Sequence, residues 1–262
     1  MTSESDPVIL SRDGAIATVT LNNPAKLNAL TKAMWTRLGE TMRLLSDNDA
    51  LRCIVLRGAG DKAFAAGADI AEFATERANA RQAKLYGEVI HSTMQAVAQC
   101  RHPTVALIQG ACVGGGLEIA AMCDMRICGT SSRFGVPINK LGLTMAYGEL
   151  AGLLALVGRA TTLEILLEGR VFDAEEAYRK RLVNRVVADD RVETESYALA
   201  QRIANGAPLV ARWHKQFIER LTVQADIAPE EWDVGFACFD TEDYREGVKA
   251  FLGKSKPAFR GR

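Results

Sequence analysis

The chain has 262 residues, 48% hydrophobic and 24% charged, a composition typical of a compact globular enzyme. Lysine plus arginine equals aspartate plus glutamate at 32 each, so no net charge favours nucleic acid or an anionic membrane as a partner. The polar segment before Val8 lacks lysine and arginine and resembles neither a signal peptide nor a transit sequence. No run approaches the roughly 20 apolar residues expected of a bilayer span.

The cysteines and histidines exclude other classes of site. The six cysteines contain no CxxC pair, which predicts reduced, mostly buried thiols in a cytoplasmic protein. The three histidines are scattered and have no cysteine or carboxylate at ligand spacing, so we expect no metal site.

The N-terminal third predicts strands and one helix. Residues 15–21 are rich in β-formers and are stopped by Asn22-Asn23-Pro24, which predicts a strand. Thr31 is a candidate N-cap for a helix to about Leu45, with one apolar face made by Met34, Leu38, Met42 and Leu45.

The next part of the chain alternates short apolar strands with helices. Residues 53–56 form a continuous apolar run, typical of a strand buried on both faces. A helix over about 80–100 leads to a strand over 104–108, and a glycine turn and helix lead to a strand over 125–128. This alternation predicts an α/β fold, and no linker marks a domain boundary.

From about residue 190 the pattern is helical. Asp190 is a candidate helix cap, and Pro208 and Pro229 suit the first turns of two further helices. The last segment is rich in aromatic residues, which favours a helical oligomerisation segment over packing on its own core. These aromatic residues are Trp232, Phe236, Phe239, Tyr244 and Phe251.

Two stretches could present backbone amides to a ligand. Residues 62–70 follow the strand ending at Arg57, and their small side chains and Gly67 allow close approach to the backbone. Residues 109–120 take a strand through three glycines directly into a helix, and a helix N-terminus carries free N–H groups and partial positive charge. Glu118 lies one turn into this apolar helix, either as a solvent-facing dipole partner or as a desolvated catalytic group.

The segments AFAAGADI and GACVGGGLEIAAMCD resemble the two signature blocks of the crotonase (enoyl-CoA hydratase/isomerase) superfamily. The block around Asn28 and the run 243–252 resemble it too, so the similarity covers nearly the whole chain. The resemblance implies an α/β spiral of ββα units with a C-terminal helical trimerisation region, assembled as a trimer or a hexamer. We therefore expect an acyl-CoA-binding catalytic core over 1–195 and a helical oligomerisation region over 196–262.

The resemblance also implies roles for individual residues. The amides of Ala68 and Gly115 would form an oxyanion hole for the thioester carbonyl, and Glu118 would be the first of the two catalytic glutamates of the hydratases. Coenzyme A would enter as part of the substrate, with no separate cofactor. The positions implied to contact coenzyme A are Lys26, Leu27, Ala66, Asp69 and Ile70, and from a neighbouring subunit Phe251 and Lys254.

One position departs from the family pattern. The second glutamate of the hydratases stands after a proline, and here the residue after Pro137 is Ile138. Hydration needs one group to activate water and another to handle the α-proton, so Glu118 would need help. Tyr147 or Glu149 could supply it, and we retain Tyr147 as a candidate catalytic residue and Ile138 as a substrate contact.

Three functions remain open from the sequence. The first is an enoyl-CoA hydratase-like lyase of fatty acid metabolism, which we favour. The second is an enoyl-CoA isomerase or acyl-CoA decarboxylase that uses one glutamate. The third is a non-catalytic acyl-CoA-binding protein, which the retained oxyanion-hole glycines disfavour because binding alone gains little from them.

Overall fold

The computed structural model describes residues 6–222 and 226–262. Its first elements are a hairpin, β1 (Val8–Asp13) and β2 (Ile16–Leu21), and a helix, α1 (Lys32–Ser46). Thr31 caps α1 by accepting a hydrogen bond from the Met34 amide at 3.2 Å. The four side chains predicted to form the apolar face of α1 are all buried, so this element is confirmed.

Three repeating units follow, each made of two strands and then a helix or two. The first contains β3 (Cys53–Gly58), β4 (Ala63–Ala65), α2 (Phe73–Glu76) and α3 (Ala80–Ala98). The second contains β5 (Thr104–Ile108), β6 (Ala111–Val113) and α4 (Gly115–Met122). The third contains β7 (Met125–Gly129), β8 (Arg133–Gly135) and α5 (Tyr147–Glu168). The predicted spiral of strand–helix units is confirmed.

The remaining elements complete the two sheets and add the helical end of the chain. They are β9 (Phe172–Asp173), α6 (Ala174–Arg179), β10 (Arg185–Val187), α7 (Val192–Ala204), α8 (Pro208–Thr222), α9 (Pro229–Val234) and α10 (Glu242–Leu252). Helices α8 and α9 begin at Pro208 and Pro229, as predicted.

Each repeating unit gives one strand to each of two sheets. The larger sheet has the order β1-β2-β3-β5-β7-β10 and is parallel except for the β1–β2 pair. The smaller sheet has the order β4-β6-β8-β9, in which β4, β6 and β8 are parallel. Since parallel strands share one carboxyl edge, the segments that follow β4, β6 and β8 emerge side by side, which is where α/β proteins place their sites.

Helix α7 begins differently from the prediction. Its N-cap is Arg191 rather than Asp190, because the chain enters α7 from a 3₁₀ turn over Asp189–Arg191. Val192, Ala200 and Ala204 of α7 are buried in a cluster with side chains of the larger sheet. The predicted boundary at residue 195 therefore lies inside a helix that packs on the core, and the division into two regions stays a prediction.

Helix α5 is long and apolar enough to cross a bilayer by length and composition, a feature that the sequence analysis did not identify. It has 22 residues and a window of mean hydropathy 1.7. The helix is interrupted at Gly158, whose φ of 73° and ψ of 171° are not helical, so it consists of two shorter helices. Its first half packs against α3 and α4, while much of its apolar surface is exposed in the single chain. Length and hydropathy alone are weak signs of membrane insertion.

Arg126, on β7, holds the carboxyl end of α4 in place. Its buried guanidinium donates hydrogen bonds to the carbonyl oxygens of Leu182 at 2.9 Å, Ala120 at 3.2 Å and Cys123 at 2.5 Å. Carbonyls at the end of a helix have no partner within the helix, and a cation there also complements the helix dipole. Arg126 thus positions the helix whose other end begins at Gly115.

Replacing Arg126 tests this role. We expect Arg126→Met to lower the free energy of unfolding by about 3 kcal/mol, because buried carbonyls lose charged donors. The matched control is Arg133→Met, since Arg133 is exposed and, within residues 6–222 and 226–262, its side chain bonds only to the carbonyls of Ser131 and Ser132. We expect the control to change stability by less than about 0.5 kcal/mol in urea denaturation. Equal effects of the two substitutions would contradict the assigned role.

Candidate functional site

The site forms where the turns after β4 and β6 touch. Gly67 has a φ of +107° and Gly114 a φ of +52°. Residues other than glycine rarely adopt these backbone conformations. A Cβ added to Gly114 would lie 3.5 Å from the Cα of Gly67, and a Cβ on Gly67 would lie 3.4 Å from the carbonyl oxygen of Val113. The two backbones are therefore in direct contact, with no side chain between them.

This contact brings together the two amides predicted to form an oxyanion hole. Gly115 is the first residue of α4, so its N–H has no acceptor within the helix. Ala68 lies between two residues that bond to Leu30: the Leu30 amide donates to the Gly67 carbonyl at 2.8 Å and the Asp69 amide donates to the Leu30 carbonyl at 2.9 Å. The N–H groups of Ala68 and Gly115 donate to no acceptor in residues 6–222 and 226–262. Both are available to a ligand.

The two amides open onto a cavity of about 170 Å³ with mostly apolar walls. The predicted residues Ala66, Ala68, Ile70, Gly115, Glu118 and Ile138 all line it. Its further lining residues are Trp35, Gly67, Phe73, Arg77, Ile90, Val113, Gly114, Pro137, Leu141, Leu143, Thr144, Met145 and Glu149.

Glu118 is buried at the centre of this arrangement. It lies in the first turn of α4, a helix in which every residue from Gly115 to Ala121 is buried, and is itself only 8% exposed. Burial raises its pKa to about 8, and the nearby Glu149 carboxylate raises it too, while Arg77 opposes the shift. Glu118 is therefore the desolvated group and not the solvent-facing one, and it carries a proton at neutral pH.

Glu149 provides a second carboxyl group in the same cavity. It is the third residue of α5, is 8% exposed, and accepts a hydrogen bond from the Ala146 amide at 2.6 Å. Burial raises its pKa, while the Ala146 amide, Arg77 and His91 lower it. The cavity thus holds two carboxyl groups, although the family position for the second one is occupied by Ile138.

Tyr147, the sequence candidate for that second role, does not reach the cavity. Its side chain is 93% exposed and lies at a separate groove with His91 and Met122. Residues two apart on a helix point about 200° away from each other, so Glu149 and Tyr147 cannot face the same cavity. The structure replaces Tyr147 by Glu149 as the group near Glu118.

The segment over residues 24–30 borders the turn after β4. The Ala66 amide donates to the carbonyl of Leu27 at 3.0 Å, and Leu27 itself is half exposed with a φ of +52°. Lys26 donates to Asp69 at 2.7 Å, and this bond, with one from the Ala71 amide, lowers the pKa of Asp69. Lys26, Leu27 and Asp69 therefore lie together beside the cavity rather than in its wall.

The predicted contacts near the C-terminus lie elsewhere in the single chain. Phe251, at the end of α10, is 84% exposed, and Lys254 follows it with a φ of +48°. Neither lines the cavity of its own chain, as expected for groups assigned to a neighbouring subunit.

Among the cavity residues that the sequence analysis did not identify are Trp35 and Arg77. Trp35 is buried on α1, and a Cβ on Gly115 would lie 3.0 Å from its ring, so the indole supports the start of α4. Burial of Trp35 could have been predicted from the sequence, because the residue lies beside the apolar face of α1. Arg77 lies between α2 and α3 in a polar run that gave no signal at all.

Comparison with known proteins agrees with this geometry. Residues 11–262 match the family model described as Enoyl-CoA hydratase/isomerase. The chain belongs to this family. The expectation drawn from the signature blocks is thereby confirmed.

Individual members of the family match over nearly their full length. The short-chain-enoyl-CoA hydratase of Clostridium acetobutylicum is 32% identical, covering 97% of each chain. The crotonyl-CoA hydratase of Syntrophomonas wolfei is 33% identical, covering 96% of this chain and 97% of that one. A solved structure described as an enoyl-CoA hydratase/carnithine racemase from Magnetospirillum magneticum is 52% identical, with a TM-score of 0.97 over 98% of this chain and 96% of that one.

The burial of Glu118 predicts a pH-dependent cost to stability. Because its folded pKa of about 8 lies above the ordinary glutamate pKa of 4.5, the folded protein binds more protons between these values, and stability falls as pH rises through this window. We therefore expect Glu118→Gln to be as stable as wild type near pH 4.5 and more stable by a few kcal/mol at pH 9.

Urea denaturation at both pH values measures this difference. Glu88→Gln is the matched control, because Glu88 is exposed on α3. We expect this control to follow the wild type at each pH. A stability difference for Glu118→Gln that does not grow with pH would show that the carboxyl group is not desolvated.

Proposed function

We propose that the protein is an enoyl-CoA hydratase that uses Glu118 and Glu149 as its pair of carboxyl groups. The observation that carries this proposal is the placement of both groups in one cavity with the free amides of Ala68 and Gly115. The hydratase names of the relatives support the reaction class. No cofactor is needed beyond the coenzyme A carried by the substrate.

The amides act on the thioester carbonyl. Adding water at Cβ of a conjugated enoyl thioester moves negative charge onto the carbonyl oxygen, and two fixed N–H donors in an apolar cavity stabilise that charge. One such donor contributes about 3–4 kcal/mol to the transition state in comparable enzymes. The donors are backbone groups held by the contact of Gly67 with Gly114, so they need no reorganisation during the reaction.

The carboxyl pair divides the proton transfers. With a pKa raised to about 8, Glu118 holds a proton in the resting site and can donate it to Cα. Burial raises the pKa of Glu149, and the hydrogen bond from the Ala146 amide opposes that rise. In its ionised form Glu149 can accept the proton that water loses on attacking Cβ. One protonated and one ionised carboxyl group satisfy both steps of hydration.

Turnover of crotonyl-CoA, followed by loss of enone absorbance, tests the pair. We expect Glu118→Gln and Glu149→Gln each to lower kcat by about 10²–10⁴, the usual contribution of an acid or base. Glutamine keeps the acceptor that bonds to the Ala146 amide, so Glu149→Gln preserves the helix cap. Tyr147→Phe is the matched control, and we expect it to retain wild-type turnover because its ring faces away from the cavity.

Other outcomes would reject the assignment. Full activity of Glu149→Gln would show that Glu149 only caps the helix and that the reaction uses Glu118 as its single catalytic glutamate. Turnover of a 3-enoyl thioester without hydration of crotonyl-CoA would favour the isomerase. Tight acyl-CoA binding without any turnover would favour the non-catalytic protein.

We further propose that three copies of the chain assemble through the apolar surfaces of α5 and the C-terminal helices. Many large apolar side chains are exposed on these surfaces in the single chain, and an exposed apolar surface of this size favours an interface. They include Leu154, Leu163 and Leu167 of α5, Ile218 and Leu221 of α8, and Phe236, Phe239, Val248, Phe251 and Leu252 near the C-terminus. A trimer would also bring Phe251 and Lys254 to a neighbouring chain.

Light scattering after size exclusion tests the assembly. We expect a mass three times, or for paired trimers six times, the 28.4 kDa of one chain. Phe251→Glu should shift the distribution towards smaller species, because it places a charge on the surface proposed to be covered. Leu44→Glu, at an exposed leucine of α1, should leave the mass unchanged. A wild-type monomer would contradict the proposal.

A further inference from the structure

Arg77 is a cation in the wall of an otherwise largely apolar cavity. It lies at the end of α2 and lines the same space as Glu118 and Glu149. Its guanidinium carbon stands 4.8 Å from the centre of the Phe73 ring and 5.0 Å from that of Tyr86. Tyr86 is buried and donates a hydrogen bond to Glu72 at 3.0 Å, which fixes its ring. Two aromatic faces therefore hold the guanidinium in place.

The guanidinium has no polar partner of its own. Within residues 6–222 and 226–262, its side chain forms neither a hydrogen bond nor an ion pair with any group. Most other arginines near the core have such partners, as Arg52, Arg101, Arg126 and Arg170 do. Five N–H donors thus remain for a ligand.

The two carboxyl groups of the cavity do not fill this role. Neither Glu118 nor Glu149 lies within ion-pair distance of Arg77, and Glu149 is bonded to the Ala146 amide instead. The cation still acts on both through space, since it lowers the pKa of each. A half-buried guanidinium that shares its cavity with the apolar side chains of Ile90, Ile138 and Met145 is better stabilised by an anion that arrives with the substrate.

We propose that Arg77 binds a carboxylate on the acyl group, so that the preferred substrate is a short 2-enoyl thioester ending in a carboxylate. This inference rests on the proposed function, because it assigns the substrate class of the same site. The cavity volume of about 170 Å³ favours a short acyl chain, being below the roughly 300–1,000 Å³ of ordinary ligand pockets. Arginine suits such a group because its planar fork matches a carboxylate in two parallel hydrogen bonds.

Kinetics with two five-carbon thioesters test the proposal. Glutaconyl-CoA ends in a carboxylate, and trans-2-pentenoyl-CoA has the same length but ends in a methyl group. We expect wild type to have the higher kcat/KM for glutaconyl-CoA. Arg77→Met should raise KM for glutaconyl-CoA by about 10- to 100-fold and change that for pentenoyl-CoA by less than about threefold. Arg77→Lys, which keeps the charge without the fork, should restore part of the loss.

The matched control is Arg81→Met, an exposed arginine at the start of α3 outside the cavity. We expect its constants to equal those of wild type for both thioesters. Equal losses of kcat/KM on both thioesters in Arg77→Met would overturn the proposal, since Arg77 would then serve the reaction of any acyl group rather than bind a carboxylate. A wild-type enzyme without preference between the thioesters would overturn it as well.

Binding of saturated analogues separates this inference from the reaction itself. Calorimetry with glutaryl-CoA and valeryl-CoA, which cannot be hydrated, should show tighter binding of glutaryl-CoA that Arg77→Met abolishes, even if the hydratase assignment fails. The same pair as N-acetylcysteamine thioesters lacks the phosphates of coenzyme A. A preference that persists on these short thioesters supports a carboxylate site. If Arg77→Met weakened binding of both coenzyme A thioesters alike and of neither short thioester, Arg77 would be assigned to phosphate and the proposal overturned.

Discussion

The contact between the backbones of Gly67 and Gly114 is the constraint on which the rest of the site depends. Both glycines adopt a positive φ, a backbone conformation that other residues rarely adopt. A further glycine, Gly116, keeps α4 against β4: a Cβ there would lie 2.3 Å from the Ala65 carbonyl oxygen. Ala68 and Gly115, whose amides are free, line one cavity as a result. The parallel arrangement of β4 and β6 explains why turns so distant in sequence meet.

The same geometry requires that a carboxyl group be buried. Helix α4 starts at the amides and runs directly into the core, so its first turn has no exposed face for Glu118. Desolvation then raises the pKa of Glu118, and a group that would be ionised on the surface carries a transferable proton instead. Arg126 secures the other end of α4. The buried Glu118 at the start of α4 destabilises the folded protein, and Arg126 at the end of α4 stabilises it.

Local patterns were enough to predict much of this molecule. Three of the predicted features depend only on residues close to them in sequence, and the structure has all three as predicted. They are the cap at Thr31, the buried strand at 53–56 and the glycines before Glu118. Asp190 failed as a cap because a 3₁₀ turn precedes α7, which side-chain type alone does not reveal. The sequence could not show whether Tyr147 or Glu149 faces the cavity. The answer depends on the residue at which α5 begins, which the sequence did not predict. Arg77 became visible only once tertiary contacts placed it beside Phe73 and Tyr86.

In the proposed mechanism, Glu149 places a catalytic group on a different segment while the oxyanion hole stays where it is. The segment after β8 passes the cavity as a 3₁₀ turn over Pro137–Leu141 and presents Ile138 there, while the first turn of α5 reaches the same space with Glu149. Two consecutive segments thus border one volume, and a carboxyl group on either can face Glu118. An apolar residue on the first segment also leaves Arg77 opposite apolar walls. In the proposed mechanism, Ile138 at the position of the second glutamate therefore changes what the acyl group contacts as well as which residue transfers the proton.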